Sequence, residues 1–353
     1  MARHGGIIAL DFLYVFALVG TMMSNVFFAI GDRMHYLSHD HLYLVFDFFP
    51  ALFLFLNGVA LSLTLRDKRI SSRRTLSYNS KKGLVLVIVG LLFAKWWPIN
   101  LFFITGFVYM LAPTITEWNN ILLRILAIFI LLVSMIFLNL EIPATVDIKT
   151  LALQGTGWQQ LVAFFIFNGY YSILPWSIFF ILGLLHGRTD LRPKGILPPS
   201  SLLGLILMVG SLILEAYCAV VYSFDHNKTG VMLPILSLKM YMPSFLMFTA
   251  GMLVIFFNLA NYSLRKVKNL KFIKWIQSNS ASKYNTYFVI MLIGSLLNII
   301  FNDVLFSRTW VIILLSLGLT LGSLYLTAFW KRKFTGKTPM EWLVKRIAGS
   351  TKN

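Results

Sequence analysis

Residues 42–65 run Leu42-Tyr43-Leu44-Val45-Phe46-Asp47-Phe48-Phe49-Pro50-Ala51-Leu52-Phe53-Leu54-Phe55-Leu56-Asn57-Gly58-Val59-Ala60-Leu61-Ser62-Leu63-Thr64-Leu65, and Asp47 is the one charged side chain among them. A helix of about 20 apolar residues matches the hydrocarbon thickness of a bilayer. Lipid offers no partner to backbone N–H and C=O groups, so a spanning segment has to satisfy them within itself, as a helix does. Residues 42–65 therefore predict a membrane-spanning helix.

The same ruler laid along the rest of the chain marks nine further runs: Ile7–Ile30, Gly83–Trp97, Leu101–Ile115, Ile121–Leu140, Ile173–Leu185, Leu202–Tyr222, Pro243–Tyr262, Tyr284–Phe301 and Trp310–Trp330. Gly83–Trp97, Leu101–Ile115 and Ile173–Leu185 are short, and each is extended by a neighbour, tilted, or broken inside the bundle. The apolar stretch Leu161–Asn168 either lengthens the sixth run or lies at the interface. The expected fold is all-α, a polytopic membrane helix bundle of about ten transmembrane helices.

Composition agrees. Of 353 residues, 58% are apolar and 12% charged, whereas a soluble domain carries about 25% charged residues. Lys and Arg number 31 against 13 acidic residues. This surplus falls between apolar runs, so the lipid bilayer is its expected partner and no nucleic acid is expected. With the N-terminus inside, the cytoplasmic segments collect all the Lys and Arg except Arg33, Lys95, Lys149, Lys228, Lys239 and Arg308. Cytoplasmic loops hold the basic excess of a membrane protein, which places both termini in the cytoplasm. Asp11 interrupts the first run and no small-residue cleavage site follows it, so no cleaved signal is expected. There is no internal repeat and no long linker. The chain reads as one integral membrane domain, 1–353, with a basic cytoplasmic tail at 331–353. The single Cys218 excludes an intrachain disulfide.

Ionisable and other strongly polar groups inside such spans are costly and usually face the bundle interior. Here they are Asp11 and Asn25 in the first span, Asp47 and Asn57 in the second, Lys95 and Glu215. Asn25 lies about 20 Å beyond Asp11, near the external end. Taken singly, each is as well explained by helix–helix hydrogen bonding. The external segment Gly31–His41 holds His35, His39 and His41 between Asn25 and Asp47. Imidazole exchanges a proton near neutrality and a carboxylate can orient it, so a general base at the outer surface is one reading. A solvated loop is another. The spacing fits no zinc signature, and no metal is expected. His186, next to Gly187-Arg188, reads as a helix cap or headgroup contact, and His226 has no assigned role.

Several segments resemble the transmembrane acyltransferases related to heparan-alpha-glucosaminide N-acetyltransferase, in particular their bacterial YeiB-like relatives. The carriers are Ala9-Leu10-Asp11-Phe12-Leu13 with Asn25, Asp47-Phe48-Phe49-Pro50 running into Leu54-Phe55-Leu56-Asn57-Gly58, and Leu174-Pro175-Trp176 with Gly183 and Gly187-Arg188. To these add Ser280-Ala281-Ser282-Lys283-Tyr284-Asn285-Thr286-Tyr287 and Lys337-Thr338-Pro339-Met340-Glu341-Trp342-Leu343. Two departures stand out. The Arg-Gly usual after Leu-Asp is Tyr14-Val15, and the external-loop histidine of the family has no unambiguous equivalent.

The resemblance implies an acyl group, most simply acetyl, passed from cytosolic acetyl-CoA or another acyl-CoA to a hydroxyl or amine outside, on a glycan, lipid or small molecule. Arg66, Lys82 and Arg188 are the expected phosphate-holding residues, with Asp11 beside them. His39, His35 or His41 would act as base with Asp47 as orienter, and Asn25 would meet the reacting carbonyl. The resemblance also implies a homodimer in a bacterial cytoplasmic membrane. The alternative is a proton-coupled carrier of small molecules or lipids that keeps the fold without the chemistry and uses Asp11, Asp47, Lys95 and Glu215. A third reading makes the basic loops a dock for a partner protein or anionic lipid. The tail Pro339–Ile347 is expected to lie on the inner leaflet.

Overall fold

The computed structural model describes residues 6–30, 40–66, 72–93, 101–139, 166, 172–189, 198–225, 243–264, 270–300, 309–333 and 338–348. These form twelve helices and, among the described residues, no strand. In chain order they are α1 (Gly6–Ile30), α2 (Asp40–Arg66), α3 (Ser72–Phe93), α4 (Leu101–Ile115), α5 (Asn120–Asn139) and α6 (Ile173–Arg188). They continue with α7 (Pro199–Asp225), α8 (Pro243–Ser263), α9 (Leu270–Ala281), α10 (Lys283–Ile300), α11 (Thr309–Lys333) and α12 (Pro339–Ala348).

Among the described residues, five stretches are long and apolar enough to cross a membrane: Asp47–Arg66, Arg73–Phe93, Pro199–Tyr217, Pro243–Ser263 and Ile313–Lys333. Ile8–Ser24, Leu101–Ile115, Asn120–Ser134 and Ile173–Arg188 are shorter apolar helices. Such a set is compatible with an integral membrane protein. α4 begins and ends where its apolar run does, whereas α3 starts eleven residues before Gly83, on the polar stretch Ser72–Lys82. The short third run is thus extended by its neighbour.

α2 is the axis of the molecule. Every residue from Pro50 to Val59 is buried, including Phe53, Phe55 and Asn57. It packs along α6 and also on α1, α8 and α3. Small residues permit the α2–α6 approach: a Cβ on Gly58 would run into the carbonyl oxygen of Phe180, and one on Gly183 into that of Phe55. α3 and α4 meet in the same way at Gly83 and Gly106. Where helices share an apolar solvent, close backbone approach gives the dispersion contacts that hold them together. By contrast α7 presents Leu202, Leu203, Leu205, Ile206, Leu212 and Ile213 outward. An outward face this apolar suits lipid, because in water a patch of that size would associate.

α12 departs from expectation. Its Met340, Val344 and Ala348 are buried, and it packs against α3 and α10. The tail helix is therefore docked on the bundle, with only Trp342, Lys345, Arg346 and Ile347 outward. An amphipathic helix buries its apolar stripe on whichever apolar surface lies within reach, and here α3 and α10 supply one.

Candidate functional site

The polar residues that matter converge at the end of the bundle where α1 begins, α2 ends and α10 begins. Asn57 lies nine residues before the end of α2, about 13 Å along the helix, and is fully buried. Its Oδ1 accepts hydrogen bonds from three tyrosine hydroxyls: Tyr14 of α1 at 3.0 Å, Tyr109 of α4 at 3.0 Å and Tyr284 of α10 at 2.9 Å. The Tyr284 hydroxyl also lies 3.3 Å from that of Tyr109, to which it donates. A phenol carries apolar ring and polar tip together, so three rings pack into the core while their hydroxyls share one amide.

Two lysines join this knot. Lys82 Nζ lies 4.4 Å from the Tyr109 ring centroid and 4.2 Å from that of Tyr284. Lys283 Nζ lies 3.0 Å from the Tyr14 centroid and 5.5 Å from that of Tyr284. Ring faces attract ammonium groups, by about 2 kcal/mol when water is excluded. Asp11, one turn before Tyr14, accepts a hydrogen bond from Ser280 Oγ at 2.7 Å. Lys283 is attracted to Asp11 and repelled by Lys82. Asp11, Lys82, Lys283 and Tyr284 remain partly exposed, so the cluster opens toward the basic end of the bundle.

The other expected phosphate ligands have different immediate partners. Arg66 donates to the carbonyls of Gly187 at 3.3 Å and Thr189 at 2.9 Å, tying α2 to the end of α6. Arg188 donates to the carbonyls of Thr116 and Trp118 and to Asn120 Oδ1, at 2.8, 2.7 and 2.9 Å. Both guanidiniums satisfy carbonyls left open at helix ends, where cations are favoured. Lys82 and Asp11 are thus brought together, whereas Arg66 ties α2 to the end of α6 and Arg188 ties α6 to the α4–α5 turn.

His35 and His39 lie outside the described residues, as do Lys95 and His226. Asn25 and His41 lie on α1 and α2, but their side chains are outside the described set. Asp47 is buried on α2, ten residues from Asn57 toward the opposite end. Glu215 of α7 is buried and accepts from Ser244 Oγ of α8 at 2.5 Å. The side chain of His186 is buried against Phe55 and Phe257, with ring centroids at 5.6 and 5.1 Å. Its carbonyl closes the helix by accepting from Thr189.

Tyr14, Tyr109, Lys283 and Tyr284 were not among the site residues expected from sequence. Tyrosine in an apolar run looks like packing, and Lys283 reads as one more cation of a basic loop. No protein-family model matches the chain, and neither a curated protein nor a solved structure is similar to it at a significant level.

Proposed function

We propose that the chain is an integral membrane acyltransferase with about ten crossings, made by α1–α8, α10 and α11, and with both termini cytoplasmic. α9 and α12 then lie at the cytoplasmic face with the basic residues. The acyl donor is a cytosolic acyl-CoA, and the acceptor is a hydroxyl or amine on the far side. The enzyme sits in a bacterial cytoplasmic membrane.

One observation carries the reading. The segments that resemble the acyltransferases are scattered from Ala9 to Leu343, yet in space they adjoin one another. Asp11 meets Ser280, Asn57 meets Tyr284, Gly183 meets Phe55, and Asn285 Oδ1 accepts from the Met340 N–H at 3.5 Å. Matches arising by composition alone have no reason to be neighbours in space.

In the proposed reaction the acceptor oxygen or nitrogen attacks the thioester carbonyl carbon. The new C–O or C–N bond forms, the C–S bond breaks, and the acceptor proton passes through a base to the departing thiolate of coenzyme A. One of His35, His39 and His41 is the base, as its intrinsic proton affinity suits neutral pH. Asp47 orients it and Asn25 donates to the carbonyl oxygen.

The test is acyl transfer in vesicles holding purified protein, with labelled acetyl-CoA supplied at the cytoplasmic face. Label should reach an acceptor on the other face, and replacing the correct histidine by alanine should abolish transfer. Failure to transfer label from acyl-CoAs of any chain length, or full activity in all three single histidine variants, sinks the respective part of the proposal.

A proton-coupled carrier is the second reading, favoured by Glu215, a buried carboxyl group in a candidate span with a serine partner. The same vesicles separate the two. A carrier moves its substrate intact and leaves the thioester whole.

A further inference from the structure

The tyrosine–lysine cluster holds more hydrogen-bond donors than acceptors. The amide oxygen of Asn57 has two lone pairs and three hydroxyls directed at it. One of those hydroxyls has the Tyr109 oxygen as its second choice, which uses up the nearest spare acceptor. Asn57 Nδ2, with two N–H donors, is buried and has no hydrogen-bond partner. The ammonium groups of Lys82 and Lys283 meet ring faces, and among the described residues Asp11 is the one carboxylate that acts on either. Both nitrogens lie within 5.5 Å of the Tyr284 centroid, hence less than about 10 Å apart, a range over which like charges in a partly dry site repel appreciably. Two lysine amines beside a single carboxylate, together with an orphaned amide, amount to a surplus of donors whose desolvation is uncompensated. An acceptor-rich anion removes it.

From this arrangement we infer that Lys82 and Lys283, with the Asn57 amide and the hydroxyls of Tyr109 and Tyr284, form a binding site for a phosphate group that enters from the basic end of the bundle. Phosphate fits the donor count better than carboxylate does. A carboxylate offers two oxygens along one edge, whereas phosphate presents at least three, enough for two ammoniums and an amide at once. Lysine binds phosphate as a point charge and needs no forked geometry, so long stems approaching from α3 and from α10 can serve one group. Tyr14 supports Lys283 from below through its ring face. Arg66 and Arg188 instead donate to carbonyls at helix ends. The phosphate belongs either to a soluble molecule such as coenzyme A or to a phospholipid headgroup. In the first case the site serves the acyl donor proposed above; in both cases the inference stands without acyl transfer.

The experiment is equilibrium binding of labelled pyrophosphate to the purified full-length protein in neutral-lipid nanodiscs, with acetate as the carboxylate comparison. Saturable pyrophosphate binding is expected, weakened about tenfold or more by Lys82→Met or Lys283→Met. It should persist in Lys82→Arg and Lys283→Arg, which keep the charge, and in Lys345→Met, which alters an exposed cation of α12. Unliganded thermal unfolding of each variant shows that it is folded. Absence of saturable binding overturns the inference, as do retention in both methionine variants and equal affinity for acetate. Competition by coenzyme A identifies the soluble source, and competition by phosphatidylglycerol nanodiscs identifies the headgroup. Lysine-dependent pyrophosphate binding that coenzyme A leaves untouched defeats the acyl-CoA reading while sustaining this one.

Discussion

The ammonium nitrogen of Lys283 sits 3.0 Å from the centre of the Tyr14 ring. Tyr14 belongs to α1 and Lys283 to α10, so this contact brings a lysine of one helix into the neighbourhood of Asp11 on the other. A contact of this kind between helices makes the two positions energetically coupled, as contacting residues usually are.

A double-mutant cycle reads that coupling. Tyr14→Arg alone places a second cation against Lys283 and should lower the unfolding temperature in detergent. Adding Lys283→Ser should restore part of the loss, with an interaction energy of about 1 kcal/mol or more. Strictly additive effects would show that the two side chains act independently.

Asn57→Leu removes the acceptor of three buried hydroxyls. Each hydroxyl left unpaired costs about 1–3 kcal/mol, so this variant should lose more thermal stability than Tyr14→Phe, which removes one donor and keeps the ring under Lys283. Equal losses would mean that the shared amide is not the organising element.

Glycine at the α2–α6 crossing is sensitive to a single methyl group. Gly183→Ala drives a Cβ into the Phe55 carbonyl and should destabilise by about 1–3 kcal/mol, as overpacking does. Gly318→Ala on α11 meets nothing within 4 Å and should be neutral or slightly stabilising, since alanine favours helix. Thermal unfolding of the pair gives an internal control for backbone propensity.

The docked α12 can be told from a free surface anchor by two substitutions. Val344→Asp, at a buried position, should detach the helix and speed protease cleavage after Lys333. Trp342→Ser, at an exposed one, should leave cleavage slow. Similar cleavage rates in the two variants would place α12 off the bundle.

Topology is checked with single cysteines in a Cys218→Ser background. A membrane-impermeant maleimide should label Ser38→Cys from outside intact cells and reach Lys81→Cys only after the membrane is opened. Reversed labelling would invert the orientation read from the basic loops.

The helices were legible because their signal is local and large. Runs such as Leu101–Ile115 and Pro243–Tyr262 mark their own ends within a residue or so of α4 and α8. α9 was not legible: Leu270–Ala281 is short, rich in lysine and looks like loop. The weak points of the site were of the same origin. Tyr109 and Lys283 carry no pattern that separates them from packing and from loop charge. Asp11, Asn57 and Lys82 stood out because a polar group in or bordering an apolar run is conspicuous.

By itself, the amino-acid order determined that this chain is helical, suited to lipid and basic at one end, since each property is summed over neighbours in sequence. Which polar groups share a site was decided only by the packing of α1, α2, α3, α4 and α10 around Asn57. A hydrogen bond or a cation over a ring depends on a few ångströms of distance between residues tens to hundreds of positions apart, and no one-dimensional pattern records that.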